Sequence, residues 1–169
     1  YREIIASNVL QDDVNTHFLH GLLGEVLSQS GADEQAIVLL DAALPLLRVF
    51  GGSFANMMCI TRARIAHAQG DNVLVAALLH ESMARAYELS DANGLLHIHL
   101  DFGLFELEAR QLSAAQHHFN KSLALCRTQL HPWLTAVVLL GVGLTAVRLE
   151  DNVAALRAYS ESVTLLRAW

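Results

Sequence analysis

Apolar residues recur along the chain at intervals of three and four, the period of an amphipathic helix, and no stretch alternates as a half-buried strand would. The pattern predicts eight helices in four antiparallel hairpins, at about 15–29 and 33–49, 53–69 and 73–89, 93–109 and 113–129, and 133–149 and 152–168. Within hairpins the breaks are Ser30-Gly31, Gln69-Gly70-Asp71, Arg110-Gln111 and Glu150-Asp151. Between hairpins they are Phe50-Gly51-Gly52-Ser53, Ser90-Asp91-Ala92-Asn93-Gly94 and Leu130-His131-Pro132. Local chemistry assigns roles at these breaks: Gly51 as a left-handed C′ residue, Asp33 and Asp71 as N-caps, Pro132 in a first helical turn, and Ser113 with Gln116 as a capping box. Pro45 is expected to kink its helix by removing the bond to the Asp41 carbonyl.

The same sub-pattern returns with a period near forty. A small residue of the first helix falls at Gly24, Ala63, Gly103 and Gly143, separated by 39, 40 and 40 positions. Three further columns keep the beat in the second helix: Ala36, Val75, Ala115 and Ala155; Leu40, Leu79, Phe119 and Tyr159; Ala43, Ser82, Ser122 and Ser162. Small residues in such columns let two helix backbones approach, so Gly103→Leu is expected to do more damage than most surface changes. A single hairpin cannot bury its apolar faces, and stacked neighbours supply the core. Residues 1–14, where Ile4, Ile5, Val9 and Leu10 precede polar Gln11-Asp12-Asp13, read as the remnant of a preceding helix or an N-terminal extension. The repeats then occupy about 15–52, 53–92, 93–132 and 133–169, the last is not visibly capped, and the chain reads as cut from something longer.

Composition narrows the class. With 53% apolar and 17% charged residues the chain can bury a core, and 11 basic against 17 acidic side chains leave no positive excess for a phosphate backbone or an anionic bilayer. Direct nucleic-acid and membrane binding are therefore not expected. Cys59 and Cys126 lie far apart without metal or redox spacing, which points to a reducing, cytoplasmic compartment. The uncharged stretch from Thr128 to Val147 is broken by Pro132; its 15-residue apolar part spans about 22 Å, against about 30 Å of hydrocarbon core, and reads as a buried helix. Of the close histidine pairs only His17/His20 has helical i, i+3 spacing. His97/His99 and His117/His118 point to different faces of their helices and cannot chelate together locally, so no metal or other cofactor is expected. No G-x-S-x-G elbow, phosphate-binding loop or dinucleotide fingerprint occurs, and no enzyme activity is expected.

Leu23-Gly24-x-x-Leu27, Phe102-Gly103, Ala115-x-x-x-Phe119-x-x-Ser122 and Ala155-x-x-x-Tyr159-x-x-Ser162 resemble the signature of tetratricopeptide repeats over most of the chain. The pattern departs from that family where His20, Cys59, His99 and Leu139 hold its Trp position and where Leu27, Ala66, Glu106 and Ala146 hold its Tyr position. The resemblance implies an all-α, right-handed superhelical solenoid of about four hairpins. The longer period is similar to the forty-residue repeats of bacterial regulators of the maltose-regulator, LuxR-like type. It implies a non-catalytic sensing or scaffold segment of a transcriptional or signalling regulator that binds a protein, a peptide or a small-molecule inducer. The chaperone-clamp role of some members is disfavoured, since the matching slots hold Gly21, Ile60, Glu25 and Arg64.

Family geometry places one face of each first helix on an inner wall. There the candidate ligand contacts are Glu25, Arg64, His67, His97, Leu104, Glu108 and Arg148, with the reading of mutually paired or solvated charges as the competing one. Val137, Leu140, Leu144 and Val147 form an apolar surface expected to be covered by further repeats, by another chain in a homodimer through the terminal repeats, or by an apolar ligand. Structural self-association through those faces is the alternative function.

Overall fold

The computed structural model describes the backbone of residues 2–168 and the side chains of residues 13–168. Its eight helices are α1 (Arg2–Gln29), α2 (Asp33–Phe50), α3 (Ser53–Ala68), α4 (Asn72–Glu88), α5 (Ala92–Glu108), α6 (Leu112–Thr128), α7 (Pro132–Arg148) and α8 (Asn152–Ala168). No strand occurs among the described residues. Consecutive helices pack in pairs, α1 on α2, α3 on α4, α5 on α6 and α7 on α8, as in a helical-hairpin repeat. The chain forms two compact units of two hairpins each, residues 1–90 and 91–169. In the first, α3 packs back on α1 and α2; in the second, α7 packs back on α5 and α6.

The small-residue columns do what close helix contact requires. A Cβ added at Gly24 would lie 2.8 Å from Leu40 Cγ, and one at Gly103 would lie 2.7 Å from the Phe119 ring. Gly143 faces Tyr159 in the same way, and Phe119 also meets Gly141 of α7, so this one ring locks α5, α6 and α7 together. Phe119 is fully buried within a cluster that includes Leu96, Leu100, Leu123, Leu134 and Val138. The serine column adds a bond that size alone does not reveal. Ser122 Oγ donates to the Leu96 carbonyl and Ser162 Oγ to the Ala136 carbonyl, both at 2.9 Å, which ties α6 to α5 and α8 to α7.

Helix ends repeat as well. At Gly31, Gly70, Arg110, Leu130 and Glu150 the backbone turns to positive φ. The N–H of each of these residues and of the one after it bond back to the last helical turn, for example Gly70 N to His67 O at 2.9 Å and Asp71 N to Ala66 O at 2.9 Å. Asp71 caps α4 through Leu74 N at 3.0 Å, Asp91 caps α5 through Gly94 N at 2.8 Å and Asp151 caps α8 through Ala154 N at 2.9 Å. Pro132 opens α7 as expected.

Several local expectations are corrected. α1 runs unbroken through Gln11-Asp12-Asp13; with no Gly or Pro there, those residues cost a helix only about 0.7 kcal/mol or less each. Asp33 lies inside the first turn of α2, beyond the cap residue Ala32, and favours the helix through its charge. Ser113 is the second residue of α6, whose cap residue is Gln111, so the capping box does not form. Gly51 is right-handed at φ −82, and Gly52 takes the left-handed turn at φ +50. α2 runs through Pro45 to Phe50, which is compatible with the kink expected there.

Among the described residues no helix is long and apolar enough to cross a membrane. The apolar content of α7 is explained by burial, with Ala136, Val138 and Leu139 enclosed between α6 and α8.

Candidate binding surfaces

In the first unit the polar candidates lie on α1 and α3. Glu25 is half-buried, and its carboxylate accepts hydrogen bonds from Thr61 Oγ1 and from Gln29 Nε2, the latter at 2.8 Å. It therefore joins α1 to α3 and is already engaged as an acceptor. Arg64 is exposed and His67 half-buried, on the last turns of α3. At the opposite end of α3, Phe54 stacks on Phe18 of α1 with ring centroids 4.6 Å apart. Met57 is exposed on α3, whereas Ile60 is buried.

The second unit brings more of the candidates together. His97, Leu104 and Glu108 lie on α5, and Val137, Leu144 and Arg148 on α7. The forty-residue period places them in equivalent slots: Asn93 with Trp133, His97 with Val137, Leu104 with Leu144, Glu108 with Arg148. Leu104 and Leu144 are both exposed, at 38% and 47%. At the N-terminal ends of the two helices an open cleft of about 660 Å³ is lined by Asn93, His97, Leu130, Pro132, Trp133 and Leu134. Trp133 and Leu130 project into solvent there. Trp133 escaped the sequence reading because a tryptophan in an apolar run looks like core; its slot, shared with polar Asn93, was the available signal.

The four apolar interface candidates separate into two groups by the burial of their equivalents forty residues earlier. Leu144 and Val137 match Leu104 and His97, which stay at least partly exposed with the next hairpin in place, so these slots belong to the inner wall. Leu140 and Val147 match Leu100 and Leu107, which the next hairpin covers, so these slots belong to the end face of the repeat.

A polar cluster the sequence did not reveal lies between α5 and α6. His99 Nδ1 is 2.9 Å from His118 Nδ1, one ring donating and the other accepting. His118 stacks on Phe102 at 4.8 Å, and its Nε2 is 3.7 Å from Glu106 Oε1. Burial, followed by the neighbouring His118, Lys121 and His117, lowers the His99 pKa to about 4. Burial likewise raises the Glu106 carboxyl. Helical spacing compares a histidine only with neighbours on its own helix, and this contact joins two helices.

In the first unit Arg48 grips Glu81 through Nε at 2.6 Å and Nη2 at 2.8 Å, while Arg85 donates to Glu81 and to the Arg48 carbonyl. Arg62, in the small-column neighbourhood of α3, pairs with Asp41 at 2.9 Å. In the second unit Arg127 and Glu161 repeat the first of these contacts at 2.6 Å. The Arg48–Glu81 and Arg127–Glu161 pairs pin successive second helices together, and Arg62–Asp41 ties α3 to α2.

Cys59 and Cys126 are buried free thiols, each pushed up by that burial away from thiolate chemistry. Among the described residues no group of three or more His, Cys, Asp or Glu side chains is placed to hold a metal ion. No protein-family model matches the chain, and no curated protein matches it.

Proposed function

We propose that the chain is a non-catalytic binding module of tetratricopeptide-like type, whose α5–α7 wall holds an apolar segment of a protein or peptide. The observation that carries this reading is the cleft at Trp133, continued along α5 and α7 by exposed Leu104 and Leu144. An aromatic anchor beside aliphatic side chains, rimmed by Asn93, His97, Glu108 and Arg148, matches the make-up of protein-recognition surfaces. The wall is polar along α5 and apolar along α7, which favours a ligand with one apolar edge. Resemblance to the long repeats of bacterial regulators supports a role as the sensing segment of such a protein, with binding selecting one arrangement of the hairpins. Two buried, unpaired cysteines support a cytoplasmic setting.

Selection of displayed peptides on the wild-type chain tests the proposal. Enriched sequences are expected to carry large apolar anchors and to lose at least about tenfold in affinity on Trp133→Ala or Leu104→Asp, the cost of one anchor. Peptides that bind both variants as well as the wild type would remove the wall as the site.

A further inference from the structure

Exposed faces on the first and last hairpins described supply an inference independent of the cleft. In each unit, one hairpin stacks on the one before it, and the residues that turn toward the preceding hairpin are known. In α3 they are Met58, Thr61, Arg62 and Ile65, all buried, with Met58 against Gly21 and Thr61 against Glu25. In α7 the same slots are Val138, Gly141, Val142 and Thr145, again buried or half-buried. In α1 these slots hold Leu19, Leu22, Leu23 and Val26, and they are 47–65% exposed. The first helix thus carries an apolar stacking face with nothing described upon it.

The opposite face shows the same reversal. Leu100, Leu107, Leu123 and Cys126 are at most 9% exposed because α7 and α8 stack over them. Their equivalents forty residues later, Leu140, Val147, Val163 and Leu166, are 42–48% exposed. Leu44 and Leu47 of α2 fill the Val163 and Leu166 slots in the first hairpin, where they are buried and α3 packs on α2. Each face therefore has a known complement, and both complements are present in one chain.

We propose that copies of this chain associate head to tail, the α1 face of one copy stacking on the α7–α8 face of the next in the register of the internal hairpin contacts. That register sets Leu19 against Leu140, as Met58 lies against Gly21. The Arg62–Asp41 pair is replaced by Leu23 and Ser160, and the Arg48–Glu81 pair by Arg167 and Ala42. The contact between copies is thus apolar where the internal ones are charged, and it should respond little to salt. Because the two surfaces differ, the association is heterologous, and a pair of copies joined by one such contact keeps one unused face of each kind.

Sedimentation velocity across a concentration series tests this with the whole chain. The wild type is expected to grow beyond a dimer as concentration rises, to a similar extent at low and high salt. Leu19→Asp, which spoils only the α1 face, and Leu140→Asp, which spoils only the α7–α8 face, should each be monomeric, while their equimolar mixture forms a dimer and nothing larger. Circular dichroism verifies that each variant is folded, and Leu22→Asp with Val163→Asp provides a second pair should either fail to fold. A wild-type chain that stays monomeric up to about 1 mM overturns the proposal. So does a closed dimer, or folded variants whose mixture remains monomeric.

Discussion

Arg110 turns the chain at φ +60, in the slot that Gly31 and Gly70 fill in the first two hairpins. A side chain in that region costs about 1–2 kcal/mol, and the bonds from Arg110 N and Gln111 N back to α5 hold it there. Arg110→Gly is expected to relieve the strain and to lose part of the gain to the freer unfolded chain, for a net rise of about 0.5 kcal/mol. Urea unfolding reads this as a higher midpoint at unchanged slope, and a lower midpoint would contradict it. The turns themselves were legible from Gly31, Gly70 and the period, but their geometry at Arg110, Leu130 and Glu150 was not, because those residue types carry no turn signal. Only the surrounding helix ends impose it. Ser113 failed in the opposite sense, since its capping chemistry was present but lay two residues past the cap residue Gln111, inside α6.

The α5–α6 hairpin joins strong packing to a titratable contact. Phe119 holds the two helices close at Gly103, a contact the column pattern made legible because large and small residues alternate in register. Nearby, His99 and His118 meet nitrogen to nitrogen, and no single-helix spacing rule finds a pair that faces across two helices. The His99 pKa falls to about 4 in the folded state, against about 6.5 in an unfolded chain. The folded protein thus prefers the neutral ring. Its contribution to stability is fully present above about pH 6.5 and is lost as pH falls toward 4, with a slope approaching 1.4 kcal/mol per unit at ~1 proton. Glu106 acts with the opposite sign, because its buried carboxyl prefers to be neutral and penalises the fold as it ionises with rising pH. Urea unfolding at a series of pH values should show His99→Gln losing the decline between pH 6.5 and 4 that the wild type displays. An unchanged decline would place the sensitivity elsewhere.

At the scale of the molecule, stacked hairpins bury apolar faces against one another, and Leu19, Leu22, Leu140 and Val163 are exposed members of such faces on the first and last hairpins described. Apolar patches of this kind mark interaction surfaces. Their existence was legible from the uncapped last repeat. Which residues form them was not, because Leu140 and Leu144 look alike in sequence and separate only when Leu100 is found covered and Leu104 open. If copies stack through these faces, folding and association are linked, since only the folded chain carries both surfaces. At a partner concentration a hundredfold above the dissociation constant the folded state gains about 2.7 kcal/mol. The melting temperature of the wild type should therefore rise with protein concentration, whereas that of Leu19→Asp should rise no further than a single unspoiled face allows, which without a complementary variant is not at all. Scanning calorimetry over a wide concentration range makes the comparison. Equal melting temperatures for the wild type at every concentration would mean that the exposed faces contribute no association, and the apolar stripe of α1 would need another cover.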